Sequence, residues 1–199
     1  MKTKLKRRAL LLSYFTVLYN IAEGILSILA GLWAGSVSLV GFGLDSAVES
    51  ISAMIMVWRF KKDDMDPDEE ETVEERALNY VGYTFFVLGF YVLYESVSKL
   101  YRAEIPEPSL LGIIIALASI IVMPFLFYLK YRTGKDLKSK SLIADSKETL
   151  SCFFLSIALL TGLLLNYFWG IWQADPIIGL LISVYLLREG YEILFDKDD

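Results

Sequence analysis

One stretch of the sequence decides the fold: Ser38–Phe60, which reads SLVGFGLDSAVESISAMIMVWRF. It is long and apolar enough to cross a bilayer as a helix, which takes about 20 residues. Yet it contains two acids, Asp45 and Glu49, which are four residues apart and therefore share one helix face. Because a charged side chain in hydrocarbon costs at least about 2.5–3.5 kcal/mol on insertion scales, the two acids indicate a function more than a packing role.

Five further apolar blocks accompany this one. The six blocks are residues 9–33, 38–60, 80–101, 109–130, 141–169 and 176–195. They account for nearly all of a chain of 199 residues that is 55% hydrophobic. The first block is too long for the apolar part of a signal peptide, so we interpret it as a retained helix. We therefore expect residues 1–199 to form one all-α integral membrane domain of six transmembrane helices, with no C-terminal cytoplasmic domain.

The basic residues predict how the helices are oriented. Lysine and arginine cluster before the first block and in the second and fourth connections, where Lys130 belongs to the fourth. The first and fifth connections carry none. Since basic loops stay in the cytoplasm, both termini are predicted to be cytoplasmic and the chain to be a multi-pass protein of the cell (inner) membrane.

The remaining charges exclude some classes of function and leave one segment open. There is no broad basic surface, so nucleic acid is not an expected partner. A single cysteine, Cys152, excludes an internal disulfide. Nine of the 24 acidic residues lie in the run Asp63–Glu75, in the second connection. This run is either a solvated, flexible linker or a cation-attracting antechamber.

Further acids lie inside the apolar blocks, and Lys147 is the nearby base that the sequence offers. Asp45 and Glu49 lie about 10 and 16 Å into the second helix, at 1.5 Å per residue. Glu148 and Cys152 lie at the same two depths in the fifth helix, entered from the opposite side. Two antiparallel helices would thus bring two i,i+4 pairs to one level, which predicts a four-ligand metal site. Cys152 also fits a small buried apolar residue.

Three other intramembrane polar residues are assigned more loosely. Asp145 is interpreted either as a further metal ligand or as a partner of Lys147 near the cytoplasmic surface. Asn20 and Glu23 share one face of the first helix. They are predicted to support the ligands or a proton path, with simple interhelical hydrogen bonding as the alternative. Asp175, before Pro176, is predicted to cap the sixth helix.

Four segments together resemble the transmembrane domain of the cation diffusion facilitator family, and in particular a branch of short prokaryotic cation transporters. They read YNIAEG (19–24), GFGLDSAVES (41–50), ADSKETLSC (144–152) and ADPIIGLL (174–181). The resemblance implies a cation-efflux-type bundle whose metal ligands are Asp45, Glu49, Glu148 and Cys152. It also implies export of divalent cations, with inward proton or cation movement, by alternating access in a homodimer, here formed through the membrane helices.

The fifth-helix pair departs from the pattern of zinc-selective members, which usually have histidine and aspartate there. Oxygen ligands suit manganese, whereas a thiolate favours zinc or cadmium. Zinc is therefore the expected substrate, with manganese, iron, cobalt and cadmium as alternatives, and the bilayer, divalent cations and protons are the expected partners. Two other functions stay open. Gly41–Asp45 is similar to the Gly-x-Gly-Asp motif of intramembrane aspartyl proteases, and a non-transporting metal-binding or scaffold protein would fit the same composition.

Overall fold

The computed structural model describes residues 2–61 and 67–195, which form six α-helices within these ranges. Their bounds are α1 Lys2–Ala34, α2 Val37–Lys61, α3 Pro67–Arg102, α4 Leu110–Leu137, α5 Lys140–Trp169 and α6 Ala174–Phe195. Among the described residues, α1, α2, α4 and α5 are long and apolar enough to cross a membrane. The chain is therefore a multi-pass membrane protein, as predicted. The spans at α3 and α6 and the cytoplasmic position of the termini stay predictions.

Three helices extend beyond the apolar blocks. α1 begins at Lys2 instead of residue 9, α3 at Pro67 instead of residue 80, and α4 continues to Leu137 instead of ending at Lys130. Hydropathy marks only the apolar part of a helix, while Lys, Arg and Glu are good helix formers that continue it into water. The acidic run Asp63–Glu75 lies only partly within the described residues. Residues 63–66 lie outside the described residues, and from Pro67 to Glu75 the run belongs to helix α3, so its role as a solvated linker or a cation-attracting antechamber stays a prediction.

The connections on either side of the bundle are short. Gly35 turns α1 into α2 with a φ of 62°, a left-handed conformation that glycine adopts without strain. Only Lys138 and Ser139 separate α4 from α5, and the Ser139 hydroxyl accepts from the backbone N–H of Leu142 at the start of α5. Gly170, also left-handed, ends α5. These tight turns place consecutive helices side by side and antiparallel.

Asp175 joins two helices instead of capping its own. α6 already begins at Ala174, and the Asp175 side chain contacts the start of α2. Its carboxylate accepts from the Val37 N–H at 2.9 Å, from the Ser38 hydroxyl at 2.5 Å and from the Ser36 hydroxyl. The predicted cap is thus wrong in its partner: Asp175 accepts from one of the unpaired backbone N–H groups at the start of α2 and ties that helix to α6.

The helices pack mainly as three pairs, α1 with α2, α3 with α6 and α4 with α5. α2 lies at the centre, since it also contacts α3, α5 and α6. In the most apolar 18-residue stretch of α2, 61% of the residues are buried, against 39% in the corresponding stretches of α1, α4 and α5. α2 and α5 run antiparallel, because Glu49 contacts Thr149 while Arg59, further along α2, contacts Ser141, earlier on α5. The predicted juxtaposition of the two acid-bearing helices is therefore present.

Candidate metal centre

A small cavity lies between α2, α3, α5 and α6. It measures about 10 Å³ and is lined by Asp45, Val48, Glu49, Phe85, Glu148 and Tyr185. A cavity of about 10–15 Å³ is the smallest that holds one water molecule. The cavity therefore has room for a single water or a single bare ion, and three of its lining residues are acids.

α2 supplies two of these acids because Asp45 and Glu49 lie one helical turn apart. Each is 5% exposed, although buried acids are rare unless they are paired or bind a metal. Glu148 comes from the facing helix α5 and is partly buried, with Ser52 of α2 beside it. One oxygen of Glu49 and one of Glu148, the Oε2 atom in each case, have no hydrogen-bond partner. These two oxygens are therefore buried acceptors without a donor among the described residues.

Cys152 lies beside this cavity but does not line it. It is 1% exposed, packs with the apolar core, and its thiol lies next to the Glu49 carboxylate. Among the described residues, no three acidic or cysteine side chains are already close enough together to hold a metal ion. The structure therefore brings three of the four predicted ligands to one cavity and the fourth next to one of them, without closing a four-ligand cage.

Asp145 is paired with a base that the sequence analysis placed elsewhere. Lys130, assigned to a cytoplasmic connection, is fully buried in α4, and its ammonium contacts the Asp145 carboxylate at 2.9 Å. Lys147, the predicted intramembrane base, is exposed. Successive residues of an α-helix are rotated by about 100°, so Lys147 lies on the outward face of α5 although it stands between Asp145 and Glu148 in the sequence. The pairing of Asp145 with Lys147 is thus wrong, and Asp145 does not line the cavity.

Asn20 and Glu23 lie on the other side of α2, within the α1–α2 contact. Glu23 is 4% exposed and accepts a hydrogen bond of 2.9 Å from the Ser46 hydroxyl, while its Oε1 has no partner. Asn20 is fully buried, and neither its amide nitrogen nor its amide oxygen has a partner. Neither residue lines the cavity. Glu23 is linked to α2 next to the cavity, because its partner Ser46 is adjacent to Asp45 in the sequence.

Several residues near the cavity were not singled out from the sequence. Phe85 of α3 and Tyr185 of α6 line it, and Glu189, one turn from Tyr185, acts electrostatically on both Asp45 and Glu148. Thr149 contacts Glu49 directly. No spacing rule within one helix could identify these four residues, since each belongs to the site only through the packing of another helix against α2. For Glu189 alone a signal existed, namely an acid near the end of an apolar block.

This donor set suits a divalent cation. Carboxylate oxygens favour harder ions such as manganese, and a neighbouring thiol adds affinity for zinc or cadmium. Lys130 pairs with Asp145, and the carboxyl groups of Asp45, Glu49 and Glu148 provide the oxygen atoms of the cavity that can coordinate such an ion.

Comparison with known proteins points the same way. The family described as the cation efflux transmembrane domain matches residues 13–197. An uncharacterised transporter of Methanocaldococcus jannaschii is 26% identical over 189 residues, covering 92% of this chain and 66% of that protein. The magnetosome protein MamB of a Magnetospira species is 22% identical, covering 89% of this chain and 62% of that protein. The manganese efflux system protein MneS of Bacillus subtilis is 20% identical, covering 84% and 59%. This chain thus spans about three fifths to two thirds of the length of these relatives.

Proposed function

Since the chain belongs to the cation efflux transmembrane domain family, we propose that it is a secondary transporter that exports divalent metal cations through a site formed by Asp45, Glu49, Glu148 and Cys152. One observation carries this proposal. Three acids from two antiparallel helices line a single cavity with room for one ion inside a multi-pass membrane protein. Burying such groups is costly, and a transported cation is what makes their presence there favourable.

The proposed substrate is a zinc-like or a manganese- or iron-like ion, with cobalt and cadmium as further alternatives. Asp45, Glu49 and Glu148 supply oxygen, which any of these ions accepts. Cys152 decides between them, because a thiolate ligand would favour zinc or cadmium. The name of the Bacillus subtilis relative supports manganese as the principal alternative to zinc.

Proton antiport with alternating access is the mechanism that we propose. When the metal leaves, buried carboxylates without a cation are unfavourable, so proton uptake would accompany release. Three of the four proposed ligands line one cavity without closing a cage, so a shift of α5 against α2 would complete the site in another state. Asn20 and Glu23 would support that proton path beside α2. Assembly as a homodimer through the membrane helices, in the cell (inner) membrane, and a single-domain organisation over residues 1–199 are part of the same proposal.

Metal flux into proteoliposomes tests this function. Zn²⁺ and Mn²⁺ uptake would be measured with a metal-sensitive dye inside the vesicles, with and without a pH gradient. Asp45→Asn and Glu49→Gln keep the shape of each side chain but remove a metal-binding charge, and both should reduce flux to the level of empty vesicles. The control is Glu104→Gln, because the Glu104 side chain is 50% exposed on a loop.

The alternatives predict other outcomes. Wild-type flux in both the Asp45 and the Glu49 variants would contradict the assignment of the site. Metal binding without flux would favour a non-transporting metal-binding protein. An aspartyl-type protease predicts cleavage of a helical substrate that is lost in Asp45→Asn, and family membership favours a transporter over that reading.

A further inference from the structure

Lys130 is a buried base whose ammonium contacts two side chains of α5, those of Asp145 and Thr149. It is fully buried in α4, and its ammonium is 2.9 Å from Asp145 Oδ2 and 3.0 Å from the Thr149 hydroxyl. Both partners lie on α5, four residues apart and on one face. Because a buried ammonium is unfavourable unless it is paired, the contacts with Asp145 and Thr149 hold it in one place.

Thr149 also contacts the proposed metal ligand Glu49. Its hydroxyl oxygen is fully buried and lies 2.7 Å from Glu49 Oε1. It is also 3.2 Å from the backbone carbonyl of Asp145. A hydroxyl has one hydrogen to donate, and the lysine already occupies one of its lone pairs. Because the contact to Glu49 is the shorter of the two and involves a carboxylate, the hydrogen is donated to Glu49 Oε1.

The two oxygens of Glu49 therefore differ. Oε1 accepts from Thr149, whereas Oε2 is buried without a partner. Glu49 lines the cavity, so Oε2 is the oxygen that is left for an ion. Ligating carboxylates and histidines in metal sites are commonly held by such outer contacts, and their loss weakens metal affinity roughly 10–100-fold.

We propose that Lys130 and Thr149 are positioning residues for the metal ligand Glu49, and that Asp145 is the anchor of Lys130 instead of a metal ligand. The inference rests on the proposed function, because it assigns roles around the same site. Two uncharged substitutions of Thr149, one that removes the hydroxyl and one that keeps it, distinguish a positioning role from a purely structural one. Thr149→Val keeps the size of the side chain but removes the hydroxyl, whereas Thr149→Ser keeps the hydroxyl.

The experiment is a competition titration of ZnCl₂ and MnCl₂ against a chromogenic chelator, with the full chain purified in detergent, together with flux at varied metal concentration. Thr149→Val should weaken metal affinity about 10–100-fold and raise the KM for flux by a similar factor, with little change in the maximal rate. Thr149→Ser should restore wild-type values. A purely structural role would change thermal stability without this split between KM and maximal rate.

Lys130 is tested by removing both charges of its pair at once. Lys130→Met alone leaves Asp145 buried without a partner and can fail to fold, so Lys130→Met/Asp145→Asn is the informative variant. It should fold and should also weaken metal affinity by about 10-fold or more. Lys147→Met is the matched control, since that neighbouring lysine of α5 is exposed; it should bind as wild type does.

The outcomes distinguish a failure of the proposed function from a failure of this inference. Wild-type protein that binds neither metal would overturn the proposed function and this inference together. If the wild-type protein binds metal and the affinities of Thr149→Val and of the double variant lie within twofold of it, the inference alone is overturned. Equal weakening by Thr149→Ser and Thr149→Val would also overturn it, because the hydroxyl would then not be the operative group.

Discussion

Replacing Asp175 should weaken the contact between the starts of α2 and α6. This carboxylate is 2% exposed and accepts three hydrogen bonds from residues 36–38, one from a backbone N–H and two from serine hydroxyls. Hydrogen bonds to a charged group contribute about 1.5–3 kcal/mol each, and orphaned buried donors make their loss worse. Since the three bonds share one carboxylate, their contributions do not add fully, and we expect Asp175→Ala to lower the free energy of unfolding by about 3–5 kcal/mol.

Thermal unfolding in detergent, followed by tryptophan fluorescence, measures this effect. For a chain of this length each kcal/mol shifts Tm by about 2–4 °C, so Asp175→Ala should lower it by roughly 6–20 °C. Asp175→Asn should give a smaller loss. It keeps one oxygen acceptor, but it replaces the other with an amide NH2 group, which donates and cannot accept from the Val37 N–H or from the Ser36 and Ser38 hydroxyls.

The control for this prediction is Glu104→Ala. Glu104 is another acid between helices, but its side chain is 50% exposed and its ion pair with Arg102, at 3.6 Å, is at the surface. Exposed pairs of this kind contribute little, so Tm should not change measurably. The reasoning would be refuted by an Asp175→Ala protein whose Tm lies within about 2 °C of the wild type, because the three bonds would then contribute less than about 1 kcal/mol.

Two further predictions concern the site and the packing around it. Cys152→Ser replaces a soft sulfur with a hard oxygen next to Glu49 and should shift flux selectivity from zinc and cadmium towards manganese. The measurement is the ratio of uptake rates of these ions. An unchanged ratio would remove Cys152 from the ligand set. Gly43→Val should destabilise the α1–α2 contact by about 1–3 kcal/mol or more, measured by thermal unfolding. A Cβ there would lie 2.8 Å from an Ile28 side-chain atom and 2.9 Å from the Gly24 carbonyl oxygen, whereas Met54→Val, on the exposed face of the same helix and 45% exposed, should have little effect.

Much of the candidate site could be predicted because it depends on spacing within single helices. Asp45 and Glu49 share a face by helical geometry alone, and matching depths predicted that Glu148 would meet them. The structure confirms that Asp45, Glu49 and Glu148 line one cavity. The assignment of these residues as metal ligands remains a prediction.

The prediction about bases failed because hydropathy does not report burial. Lys130 stands at the edge of an apolar block, next to Tyr131 and Arg132, and its sequence context is that of a cytoplasmic loop. Helix α4 instead continues to Leu137 and packs along α5, which buries Lys130 against Asp145. Lys147 sits between two acids in the sequence but on the opposite face of its helix, so proximity along the chain was misleading.

The sequence by itself determined that this is an all-helical, multi-pass membrane protein with acids at matched depths on two of its helices. Apolar length and helical period are local properties, and a bilayer leaves few other structures available to such a chain. Only the tertiary structure decided which partner each polar group has. Asp175 binds the start of α2, Lys130 binds Asp145, and Thr149 binds Glu49, each across a helix–helix contact. These pairings depend on the rotation and the register of one helix against another, and no pattern within a single helix specifies either of them.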